Sequence, residues 1–386
     1  MIRAASVVWV LMSAVTVWAQ TPASNRGGQW FEQDVIFVSG TGGYHTYRIP
    51  SLIVTPNGAV LAFCEGRKNS ASDTGDIDIL IRRSDDQGRT WGPVQVVADH
   101  GPDTIGNPCP VVDRQTGTLW LLLTGNLGHD DEQKIKARTS EGTRTVWVCH
   151  STDDGRTWSQ PEEITTAVKP PDWTWYATGP GCGIQLRAGR LVIPCDHAVT
   201  GPGGSIFRSH VIYSDDHGRS WKVGGVLGDG LNECQIVELA DGRLLINMRN
   251  YAKGADEHRR AVAVSADGGL TFSDVFFDSA LVEPVCQAAF LRYTNRPSHS
   301  RDRLLFSNPA STKRERMTVK LSYDEGKTWP VGRQLHAGPS AYSALAVLPD
   351  LSIACLYEGG RKNPYEQIIF ARFSLEWLTQ SEDAER

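Results

Sequence analysis

The chain has 386 residues, 40% hydrophobic and 22% charged, with a formal net charge of −5 and no long run of one sign. That balance excludes the basic footprint expected of a nucleic-acid-binding protein or of a protein held electrostatically on a membrane surface. The length is generous for one ordinary domain and suits a closed ring of small sheets, since propellers carry ~4–8 of them.

Residues 1–20, MIRAASVVWVLMSAVTVWAQ, place a lone Arg3 before an almost unbroken apolar stretch that ends Val17-x-Ala19, and predict a secretory signal peptide cleaved near Ala19 or Gln20. The competing reading is a membrane anchor, because ~17–25 apolar residues span a bilayer. No later stretch is suited to crossing one, so after cleavage a secreted or periplasmic chain without a membrane span is expected. Residues 21–33 are polar and read as a tail; one folded domain is expected over 34–378, and a second tail over 379–386. Order is predicted to begin with the strand DVIFVSG at Asp34–Gly40.

Next, SLIVT, AVLAF and DIDILIRRS read as successive strands, separated by the Pro56-Asn57-Gly58 turn and a Gly/Ser-rich loop. They run into SDDQGRTW from Ser84. Close copies follow at Ser151 (STDDGRTW), Ser214 (SDDHGRSW), Ser265 (SADGGLTF) and Ser322 (SYDEGKTW). Each has Ser first, Asp third, Gly fifth, Ser or Thr seventh and an aromatic ring last. The Asp can accept local backbone N–H bonds, the Gly can take φ > 0 and the ring can plug the gap beneath, so the octapeptide is read as a self-closing hairpin turn. A period of roughly 50 to 70 residues, one four-stranded sheet with variable loops, is the signature of a repeat architecture. Between the copies run β-rich segments such as TGTLWLLLTG, GRLLINMRN and DRLLFSNP, with almost no helical periodicity. The predicted fold is an all-β, six-bladed β-propeller of four-stranded antiparallel sheets, sealed by a strand near Ile368–Phe373 pairing with the N-terminal one.

The eight cysteines permit disulfides in an exported protein, but most sit in apolar runs such as VWVCH and LVIPC and read equally as small buried hydrophobes. Without a C-x-x-C pair or a His/Cys cluster, no structural metal is expected.

The octapeptides are spent on turn geometry, so chemistry is sought where polar residues break the strands near the axis. Those breaks are Arg48 in YRIP, Asp73 in a Gly/Ser loop, Glu233 in LNECQIVEL, Arg249 in LLINMRN, Arg314 in ASTKRERMTV, Tyr342 in SAYSALAV and Glu358 in LYEGG. Each alone has a plain structural reading: a packed aromatic for Tyr342, a turn-former for Asp73, an edge charge for Glu233. Three arginines from different repeats, if gathered on one side of a ring, would grip a carboxylate through charge-assisted, partly bidentate hydrogen bonds.

YRIPS at Tyr47–Ser51, FCEGR with the downstream Asp73, the repeated turns, NECQ at Asn232–Gln235, NMRN, KRERMTV and AYSAL followed by LYEGG together resemble the exo-α-sialidase (neuraminidase) family of secreted bacterial and animal enzymes. In that family the turns are known as Asp boxes or BNR repeats, and the resemblance covers essentially the whole mature chain. It implies that Arg48, Arg249 and Arg314 bind the carboxylate of sialic acid. Arg316 is the rival for the third place, but Arg314 has the family's spacing before Met317. It implies further that Glu358 steadies Arg48, Tyr342 is the nucleophile, Glu233 its base and Asp73 the acid/base catalyst, with Asp76 and Asp78 belonging to the next strand. Arg67 fits a pocket arginine near the sugar's 4-position.

The chemistry agrees with that assignment. A carboxylate nucleophile would meet the like charge beside the sialoside's anomeric carbon, and a phenol avoids that repulsion. Tyrosine, with an ordinary pKa of ~10, then needs a carboxylate to take its proton, a known departure from the two-carboxylate scheme. Trp173, Trp175, Tyr176 and Asn107 are further rim candidates, with core packing or turn formation as their alternatives. The expected activity is release of terminal α-linked sialic acids from oligosaccharides, glycoproteins or glycolipids, with retention and with no metal or organic cofactor. Alternatives are a trans-sialidase or other nonulosonic-acid glycosidase using the same residues, or a non-catalytic carbohydrate- or protein-binding propeller.

Overall fold

The computed structural model describes residues 28–383, so the expected leader lies outside the described residues. The fold is all-β, built of successive four-stranded antiparallel units. The first comprises Thr46–Val54, Val60–Arg67, Ile77–Ser84 and Gln95–Ala98, and the second Thr104–Val112, Leu119–Asn126, Thr145–Ser151 and Glu162–Glu163. Trp173–Thr178, Leu191–Gly201, Gly204–Ser214 and Lys222–Asp229 follow, then Leu231–Glu238, Leu244–Asn250, Arg259–Ser265 and Phe276–Val282. After Ala289–Thr294, Arg303–Pro309 and Glu315–Ser322 comes one long strand, Val331–Val347. Its first half completes that unit, and its second half pairs with Ile353–Gly359 to begin the next. Gln367–Phe373 and the N-terminal Phe31–Val38 finish the series, the pairing of first and last strands that had been expected.

The core lies between the units, which follows from the period of two along each strand. Val60, Ala62 and Cys64 pack in one layer with Ala344, Leu356 and Phe370 of the last unit. Their neighbours Leu61 and Phe63 point the other way and pack with Ile105, Leu119 and Leu121 of the second. Equivalent layers join each later unit to its successor.

The five octapeptides form the same turn, at the sheet end where Val54, Val60 and Ser84 are in register. In the second copy Ser151 Oγ donates to Asp153 Oδ1 and accepts from Gly155 N, while Asp153 accepts from Thr157 N (2.9 Å) and Thr157 Oγ1 (2.5 Å). These bonds hold the Asp153 carboxyl down to about 2, the Thr157 hydroxyl first among them. The fourth residue also takes a left-handed φ: Gln87, Asp154, His217, Gly268 and Glu325 lie between 62° and 73°. At the fifth, a Cβ on Gly88 would stand 2.2 Å from the Phe370 ring, so close packing on the neighbouring unit, as well as φ, demands glycine.

Three expectations are adjusted. Strand pairing begins at Phe31, ahead of Asp34, because Phe31 pairs with Phe373 and stacks on Trp377. Within the tail expected over 379–386, Thr379 and Asp383 are buried, and Asp383 takes a bidentate ion pair from the buried Arg303 at 2.7 and 2.8 Å. A short helix, Glu132–Ala137, interrupts the second unit, capped where Asp131 accepts from Lys134 N at 2.8 Å.

Candidate active site

At the sheet end opposite the turns, the innermost strands lose their regular register. The shifts fall at Arg48–Ser51, Gly106–Cys109, Trp173–Tyr176, Leu231–Cys234 and Ser340–Ser343. Such bulges re-aim side chains that a regular pleat would turn into the core or away from the axis. Arg48, Asn107, Trp175, Glu233 and Tyr342 stand at or within them, and all five line one cavity of about 260 Å³. Ile49 and Asn107 take φ of 57° and 54° there, a conformation costly for a β-branched side chain.

Arg67, Asp73, Arg249 and Arg314 line the same cavity. Glu358, fully buried, stands behind it and accepts from Arg48 Nε (3.1 Å), Ile49 N (2.9 Å) and Tyr342 N (3.1 Å). One carboxylate thus fixes a guanidinium together with the backbone of two strands. All eight residues singled out from the sequence meet at this place. Arg314 faces the cavity, whereas Arg316 is exposed and lies 3.9 Å from Glu315. Trp175 and Asn107 line the cavity; Trp173 and Tyr176 instead pack in the layer between the second and third units.

Tyr342 is the common neighbour. The guanidinium carbons of Arg48 and Arg314 lie 5.1 and 5.7 Å from its ring centre, and Arg249 Nη1 donates to its Oη at 3.3 Å. Its hydroxyl donates to Glu233 Oε1, while Glu233 Oε2 accepts from Arg249 Nη1 at 2.8 Å. Burial, reinforced by the Glu233 charge, pushes the phenol well above its ordinary range, so it is neutral near pH 7. Arg48 and Arg249 are matched by Glu358 and Glu233. Arg314 has no carboxylate within ion-pair distance among the described residues and donates instead to Tyr365 Oη at 2.7 Å. The cavity therefore holds a cationic end ready for an anion.

Asp73 projects from its loop with its side chain 70% exposed, 2.7 Å from Arg67 Nη2 and 3.3 Å from Arg48 Nη1. Partial burial pushes its carboxyl up, but the Arg67 and Arg48 charges outweigh that and hold it below the usual range. Arg67 is aligned by Glu65 Oε2, which accepts from its Nε at 3.0 Å and its Nη2 at 2.6 Å.

Sequence reasoning missed several lining residues. Glu65 and Asp196 each interrupt an apolar strand run, the one signal available, whereas Arg144 stands in the polar stretch just before its strand; all three are buried. Arg144 donates to Asn107 Oδ1 (2.5 Å) and Thr124 Oγ1 (2.9 Å) and stacks 4.3 Å above Trp175. Asp196 Oδ1 accepts from Asn232 Nδ2 at 2.7 Å; its Oδ2 is buried without a partner, and burial followed by the Glu233 charge pushes its carboxyl well above the ordinary range. Tyr365 stacks 4.2 Å from the Arg48 guanidinium. Among the described residues no cluster of three or more His, Cys, Asp or Glu is disposed to hold a metal ion.

Comparison with known proteins accords with this geometry. The BNR repeat-like domain family matches residues 58–355. The chain is 38% identical over 392 residues to a sialidase of Micromonospora viridifaciens, an alignment covering 95% of this chain and 58% of that protein. It is 34% identical over 370 residues to an exo-alpha-sialidase of Aspergillus fumigatus, covering 87% and 86%. Among solved structures it superposes on the Hadza microbial sialidase Hz136 with a TM-score of 0.78 at 31% identity, over 88% of this chain and 68% of that one. Arginines, phenol and carboxylates gathered at one cavity, on a chain this similar to those proteins over most of its length, lead to one conclusion: the chain belongs to the sialidase family.

Proposed function

We propose that the chain is an exo-α-sialidase: a glycoside hydrolase that removes terminal α-linked sialic acids from glycoconjugates, with retention and through a tyrosyl intermediate. The observation that carries this reading is the Tyr342–Glu233 hydrogen bond held within reach of three convergent arginines. Arg48, Arg249 and Arg314 bind the sugar carboxylate, which meets its strongest uncompensated attraction at Arg314.

Tyr342 Oη then bonds to the anomeric carbon as its proton passes to Glu233, while the glycosidic C–O bond breaks and Asp73 protonates the departing oxygen. Water next attacks the same carbon, giving its proton to Asp73, and the Tyr342 bond breaks as Glu233 returns the phenolic proton. Two inversions give net retention. The Arg67 and Arg48 charges hold the Asp73 carboxyl below its usual range. A substrate carboxylate on Arg48 offsets part of that field, so Asp73 gains proton affinity when it must act as an acid.

The same reading includes a six-bladed propeller, supported by six four-stranded units with six intervening core layers. It also includes export guided by residues 1–20, whose composition suits a signal peptide. A fluorogenic sialoside assay of wild type beside Tyr342→Phe, with a lactose acceptor present and products separated, tests the function. Free sialic acid from the wild type alone is expected; release from neither protein across a pH series overturns the reading, and sialyl-lactose as the main product replaces hydrolysis with transfer.

A further inference from the structure

The helix Glu132–Ala137 borders two hollows: Glu132 lines the catalytic cavity and Ile135 lines a second one of about 360 Å³. Apolar surface from Ile135, Pro170 and Trp173 meets hydroxyls of Ser140, Thr143 and Thr165 there, and none of the lining residues carries a carboxylate. Two lining residues are cations, Lys169 and Arg138. Lys169 is only 9% exposed, and its Nζ donates to Thr143 Oγ1 at 2.7 Å and to the Arg144 carbonyl at 2.9 Å. An ammonium has three donors, so one lacks an acceptor among the described residues, and neither Lys169 nor Arg138 has a carboxylate within ion-pair distance there. Buried charges are ordinarily paired, because an unpaired one keeps its desolvation cost. Burial, then the nearby Arg138 and Arg144 charges, lower the Lys169 ammonium to about 8, the behaviour of a cation short of an anion.

We infer that this hollow is an accessory site for an acidic sugar, with Lys169 and Arg138 on its sulfate or carboxylate and the apolar wall against its ring. A volume of about 360 Å³ falls within the ~300–1,000 Å³ of small-ligand pockets and exceeds what a bare oxyanion fills. Hydroxyls beside an apolar wall suit a ring that carries both C–H and O–H groups. The two hollows have no lining residue in common but are joined through Arg144, which lines the catalytic cavity. Arg144 takes the Lys169 bond on its carbonyl and holds Asn107 with its guanidinium.

The test follows the Lys169 Cε resonance in full-length protein labelled with [6-¹³C]lysine, assigned by its loss in Lys169→Met; this signal reports the hollow and not the catalytic arginines. N-acetylglucosamine 6-sulfate or glucuronic acid is expected to shift it saturably, the tighter of the two identifying the anion. Binding of inorganic sulfate is expected to be roughly tenfold or more weaker, for want of the ring contacts. Neutral N-acetylglucosamine is expected to leave the signal in place. Arg138→Ala, at an exposed position, is expected to weaken acidic-sugar binding about tenfold through loss of charge-assisted bonds. No shift with either acidic sugar, an equal shift with the neutral one, or inorganic sulfate binding as tightly overturns the assignment. Because the readout is binding at Lys169, its failure and a failure of sialoside hydrolysis are separate results.

Discussion

At one end of the sheets a single octapeptide turn recurs five times with the same internal bonds. At the other, five inner strands break register and present Arg48, Asn107, Trp175, Glu233 and Tyr342, no two alike. Each turn satisfies itself: Asp153 spends both carboxylate oxygens on Ser151 and Thr157. The cavity is left incomplete, with Arg314 lacking a carboxylate partner among the described residues and Asp196 Oδ2 buried without one. Repetition in this chain carries stability, and the departures from it carry reactivity.

Substitutions can break that division of labour. Tyr342→Phe, the largest expected effect, removes the proposed nucleophile and is expected to lower kcat by about a hundredfold to ten-thousandfold while thermal unfolding stays near wild type. A large loss of Tm would show the tyrosine to be scaffold. Arg314→Ala is expected to raise KM about ten- to a hundredfold with a smaller fall in kcat, since anchoring the carboxylate acts in ground and transition states alike. An unchanged KM would move the anion end elsewhere.

Asp73→Asn sharpens the comparison through pH. Its carboxyl is held low by Arg67 and Arg48, and on the proposed mechanism it is expected to rise when a substrate carboxylate occupies Arg48. A general acid must be protonated, so the alkaline limb of kcat is expected at higher pH than that of kcat/KM, and the variant is expected to lose it with a roughly tenfold to hundredfold lower rate. Coincident limbs would detach Asp73 from the arginine field.

On the turn side, Asp153→Ala is expected to cost about 1 kcal/mol in denaturant unfolding with kcat unaltered, because the lost bonds are exposed. The native Asp153 carboxyl lies at about 2 against an ordinary ~3.9, so its stabilisation is present above pH ~4 and fades as pH falls toward 2. The smallest effect is expected from reductant. All eight cysteines are free thiols, so dithiothreitol is expected to leave Tm unmoved.

The turns were legible from the sequence because their bonds span only four or five residues. Arg48, Arg249, Arg314, Tyr342, Glu233, Asp73 and Glu358 were legible because motif and residue type stood out from the strands around them. Glu65, Arg144 and Asp196 were not, because neighbours on other strands complete them: Glu65 accepts from Asn107 N, Asp196 from Asn232, and Arg144 meets Trp175 only after two units have packed together. The long strand Val331–Val347 was also hidden. It serves two consecutive units, and Pro339 within it reads as a break although it pairs with Glu315 across the bulge.

Glu358 has a consequence for how the enzyme comes into being. It clasps Arg48 and Ile49 from the first unit and the amide of Tyr342 from the last. On the ribosome, a nascent chain that has made four complete sheets still owns neither the phenol nor the carboxylate that orients the first guanidinium. The proposed catalytic set is therefore complete only once the sixth unit has been made, and a chain truncated before Glu358 is expected to be inactive.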